Sequence, residues 1–202
     1  VELLNWYDAT VRDGMFDDQN GIFYEYDGQQ LAAVIRASTR QLTGTLSLTN
    51  GSSSVVGTDT KFLTQIKEGD YIVIKGMSYA VTNIDSNTSM TIQPAWRSTT
   101  EDTVRFNKTI DRRILQNNFN IDRLDGSGPS GFVFNANRMQ MIFIDYSWYG
   151  AGKVRWGMRG LDGSILYCHE EPNNNVNTES YMRSGNLPGR FEILTKSKQG
   201  RL

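Results

Sequence analysis

The residues able to do chemistry fall into four groups. Cys168, His169, Glu170 and Glu171 are consecutive, and the chain has no other cysteine or histidine. A catalytic thiol–imidazole pair meets from separate elements, whereas neighbours on a strand point to opposite faces. Adjacency therefore predicts a buried Cys168 and a His169 near the rim, and one imidazole cannot supply a two-histidine metal site. Gly126-Ser127-Gly128-Pro129-Ser130-Gly131 has the two outer glycines of a phosphate-binding loop, but Phe132 stands where that loop needs its lysine. No helix signal follows to offer free N–H groups to an anion. The run reads as a bend limited by Pro129, with the nearby acids and Arg123 satisfying backbone groups around the corner.

The third group is acidic. In "FDDQNGIFYEYD", Asp18 and Asn20 precede Gly21 as in a calcium loop, yet Phe16 fills the first ligand position and a strand pattern follows where a helix should. A hairpin turn is the better reading. The carboxylate pairs Asp17/Asp18, Asp122/Asp125 and Glu170/Glu171 would suit a glycosidase only if two faced each other at roughly 5–9.5 Å. Spacing along the chain does not decide that. The fourth group is aromatic: Tyr146, Trp148, Tyr149 and Trp156. It serves either as a stacking platform for sugar or as the interior of a sandwich. Strand alternation puts Ile144, Tyr146 and Trp148 on one face, which favours the interior. Trp148, Tyr149 and Trp156 are the candidate contacts for a glycan or a partner. No group completes a catalytic set, so the expectation is a non-enzyme with no catalytic residue, no metal and no cofactor.

The elements that must position these residues are strands. Short apolar or alternating runs recur every eight to twelve residues between turn signals, the rhythm of an all-β chain. Asn20-Gly21 and Asp27-Gly28 predict tight turns around strands at Ile22–Tyr26 and Leu31–Arg36, a β-meander. From Gly44 the texture is richer in Ser and Thr. Leu46 and Leu48 alternate, Asn50-Gly51 turns, and Val55-Val56 opens a strand. Phe62 and Ile66 have the spacing of one helical turn. Gly69-Asp70 and Lys75-Gly76 then bracket "YIVI" before "SYAVTNI" and "SMTIQ". About five strands in some sixty residues suit a small closed β-barrel. After Arg105, Met141–Trp148, Lys153–Met158, Ile165–His169 and "GRFEIL" read as strands. The fold expected is all-β: a jelly-roll-like β-sandwich from residues 1–43 and 106–202, with a small barrel, residues 44–105, inserted in a turn.

Composition narrows the function classes. The 202 residues carry 21 basic and 22 acidic side chains, a formal charge of −1 that argues against a protein built to hold nucleic acid. A single cysteine excludes an intrachain disulfide and is compatible with assembly in a reducing cytoplasm. No apolar run approaches the ~20 residues that cross a bilayer, so no membrane partner is expected. The opening "VELLNWYDAT" and closing "KSKQGRL" suggest a segment of a longer protein.

The strings "DGMFDDQNGIFYEYDGQQLAAVIRAS", "NFNIDRLDGSGPSG", "MIFIDYSWYGAGKVRWGM", "CHEE" and "SGNLPGRFEI", in this order, resemble a family of virion structural proteins of tailed bacteriophages and some giant DNA viruses. The resemblance covers about residues 11–43 and 106–194. The intervening segment resembles a small β-barrel module of phage structural proteins. The family offers no catalytic motif to carry over. The resemblance implies a virion component assembled in the host cytoplasm, of the tail or baseplate more than the capsid shell, working through interfaces. Its partners would be other virion structural proteins and further copies of itself. A carbohydrate-binding domain of a tail fibre, contacting a host-surface glycan, and a capsid decoration protein are the alternatives. A glycan depolymerase using paired carboxylates ranks behind them.

Overall fold

A computed structural model describes residues 9–195; of the chain ends singled out above, residues 1–8 and 196–202 lie outside the described residues. The described residues are all-β, as the periodicity predicts, with one α-helical turn and one 3-10 turn, Gln116–Asn118, and the chain divides into two compact units, 1–36 with 111–202 and 37–110. The division falls inside two long strands, β3 (Leu31–Gln41) and β10 (Phe106–Leu115), where the texture of the sequence placed it at Gly44 and Arg105.

The first unit is a sandwich. One sheet is the expected meander: β1 (Ala9–Phe16), β2 (Gly21–Tyr26) and β3, with β14 (Gly189–Thr195) outside β1. The other is β11 (Ile142–Tyr146), β12 (Val154–Arg159) and β13 (Ile165–Glu171), all antiparallel. Alternation sends Ile22, Tyr24, Leu31, Ala33 and Ile35 of the meander into one core with Val154, Trp156, Met158 and Cys168.

The meander's opposite face is covered too. Phe16, Phe23, Ala32 and Val34 are buried there beneath Arg12 and Arg36. Arg36 forks onto Asp111 at 2.7 and 2.8 Å, while Glu25 receives Arg12 at 2.7 Å and Arg113 at 2.6 Å. Guanidinium stems thus shield apolar rings while their heads pair with carboxylates.

In the second unit the strand order is β10, β6 (Tyr71–Ile74), β7 (Met77–Ser86), β8 (Ser89–Gln93), β5 (Ser54–Thr58), β4 (Thr45–Leu48) and β9 (Glu101–Val104). One face of each strand supplies a core containing Leu46, Leu48, Val55, Ile72, Tyr79, Met90 and Trp96. The helix α1 (Phe62–Gln65) adds Phe62, with Ile66 one turn on. The expectation of a closed barrel fails: among the described residues no ladder joins the ends of this sheet. Only Arg105 separates β9 from β10, and one residue cannot reverse the chain to pair them, because the shortest common hairpin loops have two. The sheet curls over its core and stays open.

Candidate functional site

The glycine run wraps a side chain of its own unit. The carboxylate of buried Asp122 accepts N–H bonds from Leu124 at 2.8 Å and Ser130 at 2.9 Å. A Cβ on Gly128 would lie 2.2 Å from Asp122 Oδ1, so the loop closes this tightly only with glycine there. N–H groups that a phosphate loop would turn toward an anion are spent inside the chain: that of Ser130 on Asp122, and those of Gly126 and Gly131 on the Phe132 and Gly128 carbonyls. Asp125 likewise takes the Ser127 N–H at 2.9 Å. Arg123, expected to help, is exposed and acts on Asp125 only through its charge. Burial pushes the Asp122 carboxyl up, but the donors of Leu124 and Ser130 outweigh it and hold the group below the ordinary carboxylate range.

A depressed folded-state pKa contributes stability above the unfolded value, about 3.9, and that contribution fades as pH falls through the folded value. Asp122→Asn, whose amide would set a donor against one of these N–H groups, should cost about 1–3 kcal/mol at neutral pH. Urea titrations should show the gap between the two proteins shrinking below pH ~4. A gap that stays constant would remove the carboxylate from this role.

The other acids are also engaged. Asp17 Oδ1 accepts the N–H groups of Gln19 and Asn20, each at 2.7 Å, which makes the first hairpin turn, and Asp18 pairs with Arg190 at 2.8 Å. Glu170 pairs with Lys153 and Glu171 with Arg112, both at 3.0 Å. Among the described residues no group of three or more metal-ligating side chains gathers.

Cys168 is buried as expected. Its thiol donates to the Trp156 carbonyl at 3.3 Å and lies 3.1 Å from the Tyr24 hydroxyl, and burial pushes its pKa up to about 12. A thiol so held is a poor nucleophile. His169, expected near the rim, is instead only 3% exposed. Phe119 stacks on its ring at 5.6 Å, and the Asn120 N–H points to Nδ1 at 3.3 Å. That bond places the ring proton on Nε2, which donates to Glu171 Oε1 at 3.1 Å. This hydrogen bond, with the Arg112 charge behind it, holds the Glu171 carboxyl low despite burial. The segment covering the imidazole lies about fifty residues away in sequence, beyond the reach of strand alternation.

The three candidate contacts separate. Trp156 is fully buried, donates Nε1–H to the Phe23 carbonyl at 3.3 Å, and belongs to the sandwich core. It cannot meet a ligand. Trp148 and Tyr149 are 63% and 82% exposed. Alternation does turn Ile144 and Tyr146 inward, but β11 stops at Tyr146. The next four residues form a turn closed by the Gly150 N–H on the Ser147 carbonyl at 2.9 Å, which throws Trp148 outward.

This turn is held from below. The Gly150 carbonyl accepts from Tyr181 N–H at 3.1 Å, Ser180 Oγ at 3.0 Å and Asn173 Nδ2 at 3.2 Å. The buried Tyr181 hydroxyl donates to the Ser147 carbonyl, and burial keeps that phenol protonated, with its pKa raised to about 12. The edge of the Trp148 ring rests on Gly185, where a Cβ would approach it to 2.7 Å. The two exposed rings meet edge to face, centroids 5.4 Å apart at 78°. They form a corner of two largely exposed rings on a fastened turn, an arrangement suited to stacking.

By sequence, no protein family and no curated protein matches the chain. By structure it is similar to phage phi92 endosialidase, with a TM-score of 0.24 and 15% identity over 91% of this chain. It spans 30% of that protein's length. The structure found is that of an enzyme, so the flat expectation of a non-enzyme does not stand. A likeness this slight brings no activity to the chain.

Proposed function

We propose that this chain is a phage tail or adhesion-type protein that works by presenting a preorganised binding surface. The observation that carries the reading is the Trp148–Tyr149 corner, two large rings left in water on a turn fastened by four hydrogen bonds from 173–181. Rings that served packing would be inside; rings exposed and immobilised have already lost the freedom that binding would otherwise take from them. The resemblance of the ordered strings to virion structural proteins is what supports a place in the particle. The double variant Trp148→Ala/Tyr149→Ala should keep its stability within about 0.5 kcal/mol. Its adsorption to susceptible host cells should fall at least about tenfold, as for a pair of hot-spot aromatics. Unchanged adsorption would refute the reading.

A second surface favours assembly. Met141, Leu161 and Ile165, at one end of the three-stranded sheet, are 58%, 101% and 41% exposed. Apolar side chains clustered in water mark contact with other virion proteins or another copy of the chain. Sedimentation at increasing concentration should show self-association that Leu161→Lys abolishes; a monomer at all concentrations would refute the homo-oligomer.

A further inference from the structure

Resting on the surface-binding reading above, we propose that the Trp148–Tyr149 corner is a carbohydrate subsite for an uncharged pyranose. The sugar's apolar C–H face lies on Trp148 and Tyr149 forms a side wall. Three observations select this ligand class.

The first is area. Two aromatic side chains supply about 300–500 Å², well short of the roughly 800 Å² per partner of a stable protein interface. They match one or two sugar rings. The second is charge. The segment 173–186, which pins the turn and seats Trp148, carries five asparagines, three hydroxyl residues of the Ser/Thr type, one acid and one base. Its neutrality gives no field to draw an anionic or cationic ligand, while exposed amides and hydroxyls such as Asn174, Ser184 and Asn186 suit sugar hydroxyls. The third is shape. Edge-to-face rings leave one flat face beside one wall, which fits a saturated ring with an apolar face and polar rim. A flat aromatic ligand would be better held between parallel rings.

The test uses two uncharged hexasaccharides, cellohexaose and chitohexaose, with hexagalacturonate as an anionic control. Each is titrated into the whole chain while tryptophan emission and saturation-transfer NMR are recorded. At least one uncharged hexamer should bind with a Kd at or below about 1 mM, shifting the emission, and the anionic control should bind more weakly. Trp148→Ala should weaken binding at least about tenfold, while Trp148→Phe, which keeps a stacking face, should stay within about threefold. Failure of both uncharged hexamers to bind, tighter binding of the anionic control, or equal binding by Trp148→Ala would overturn the inference. The cell-adsorption experiment separates this from the broader reading. If Trp148→Ala/Tyr149→Ala loses adsorption while neither hexamer binds the parent chain, the corner is a binding surface for some other ligand and only the sugar assignment falls.

Discussion

Trp156→Ala should lower the unfolding free energy of the sandwich unit by about 3–5 kcal/mol, whereas Trp148→Ala, eight residues earlier, should change it by less than about 0.5 kcal/mol. Both residues are tryptophans in one aromatic cluster of the sequence, yet their surroundings are opposite. Trp156 is fully buried between the two sheets, with its indole N–H on the Phe23 carbonyl and its ring beside His169 at 5.7 Å. Truncation removes the largest side chain of that core, leaves a cavity the β-sheets cannot collapse into, and gives up the indole bond to the Phe23 carbonyl. Against a typical total of about 5–15 kcal/mol, such a loss approaches unfolding. Trp148 loses only water contacts, its seat on Gly185 and its edge-to-face contact with Tyr149, itself exposed. Urea denaturation followed by circular dichroism measures both. Similar losses for the two variants would mean that the aromatic cluster is divided wrongly between core and surface.

The second large effect lies in the other unit. Gly44 has φ +82°, and a Cβ there would stand 2.4 Å from the Thr58 carbonyl oxygen and 2.7 Å from the Asp59 carbonyl carbon. Those atoms are backbone, at the end of the β4–β5 ladder where Thr45 pairs with Thr58. They cannot rotate away. Gly44→Ala therefore combines about 1–2 kcal/mol of left-handed strain with about 1–3 kcal/mol of overpacking. Gly51 is the control, since its φ is +76° but nothing lies within 4 Å of its Cβ position. Gly51→Ala should show the strain alone. Trp96, 1% exposed in this unit's core, reports the transition by fluorescence. Equal losses for the two alanines would show that the β5 backbone does not press on Gly44.

The strands and turns were legible because their causes are local. A residue alternates faces with its neighbours whatever the rest of the chain does, so Ile22, Tyr24, Leu31 and Ile35 could be assigned to one face unaided. Asp-Gly favours a tight turn by its own backbone freedom, and the second meander hairpin turns at Asp27-Gly28 with φ +95° at Gly28. The first turns at 17–20 on the Asp17 carboxylate, with Gly21 already paired in β2, so Asn20-Gly21 marks only its end. Phe62 and Ile66 announced a helical turn by spacing alone, and both are buried around α1.

Alternation also misled wherever its strand ended. Carried two residues past Tyr146, it put Trp148 inside, although the turn at Ser147–Gly150 had already reversed the chain. The donors that fix this turn come from Asn173, Ser180 and Tyr181, too far along the chain for any pattern to connect. The same holds for His169, covered by Phe119 and Asn120, and for the open end of the curled sheet, settled by the single residue between β9 and β10. Asp122 shows the contrast most plainly. The missing lysine at Phe132 made its glycine-rich neighbourhood a bend and not a cradle, but only the folded geometry shows the N–H groups of Leu124 and Ser130 closing on that carboxylate.

Backbone preference and side-chain period are properties of a few adjacent residues, so a string of letters carries them. Whether an aromatic ring ends in water or in the core depends on which distant segment arrives to cover it. That is a many-body packing outcome which exists only once the chain has closed on itself. The Trp148–Tyr149 corner is exposed because residues 173–185 fasten it from beneath and leave its outer faces open.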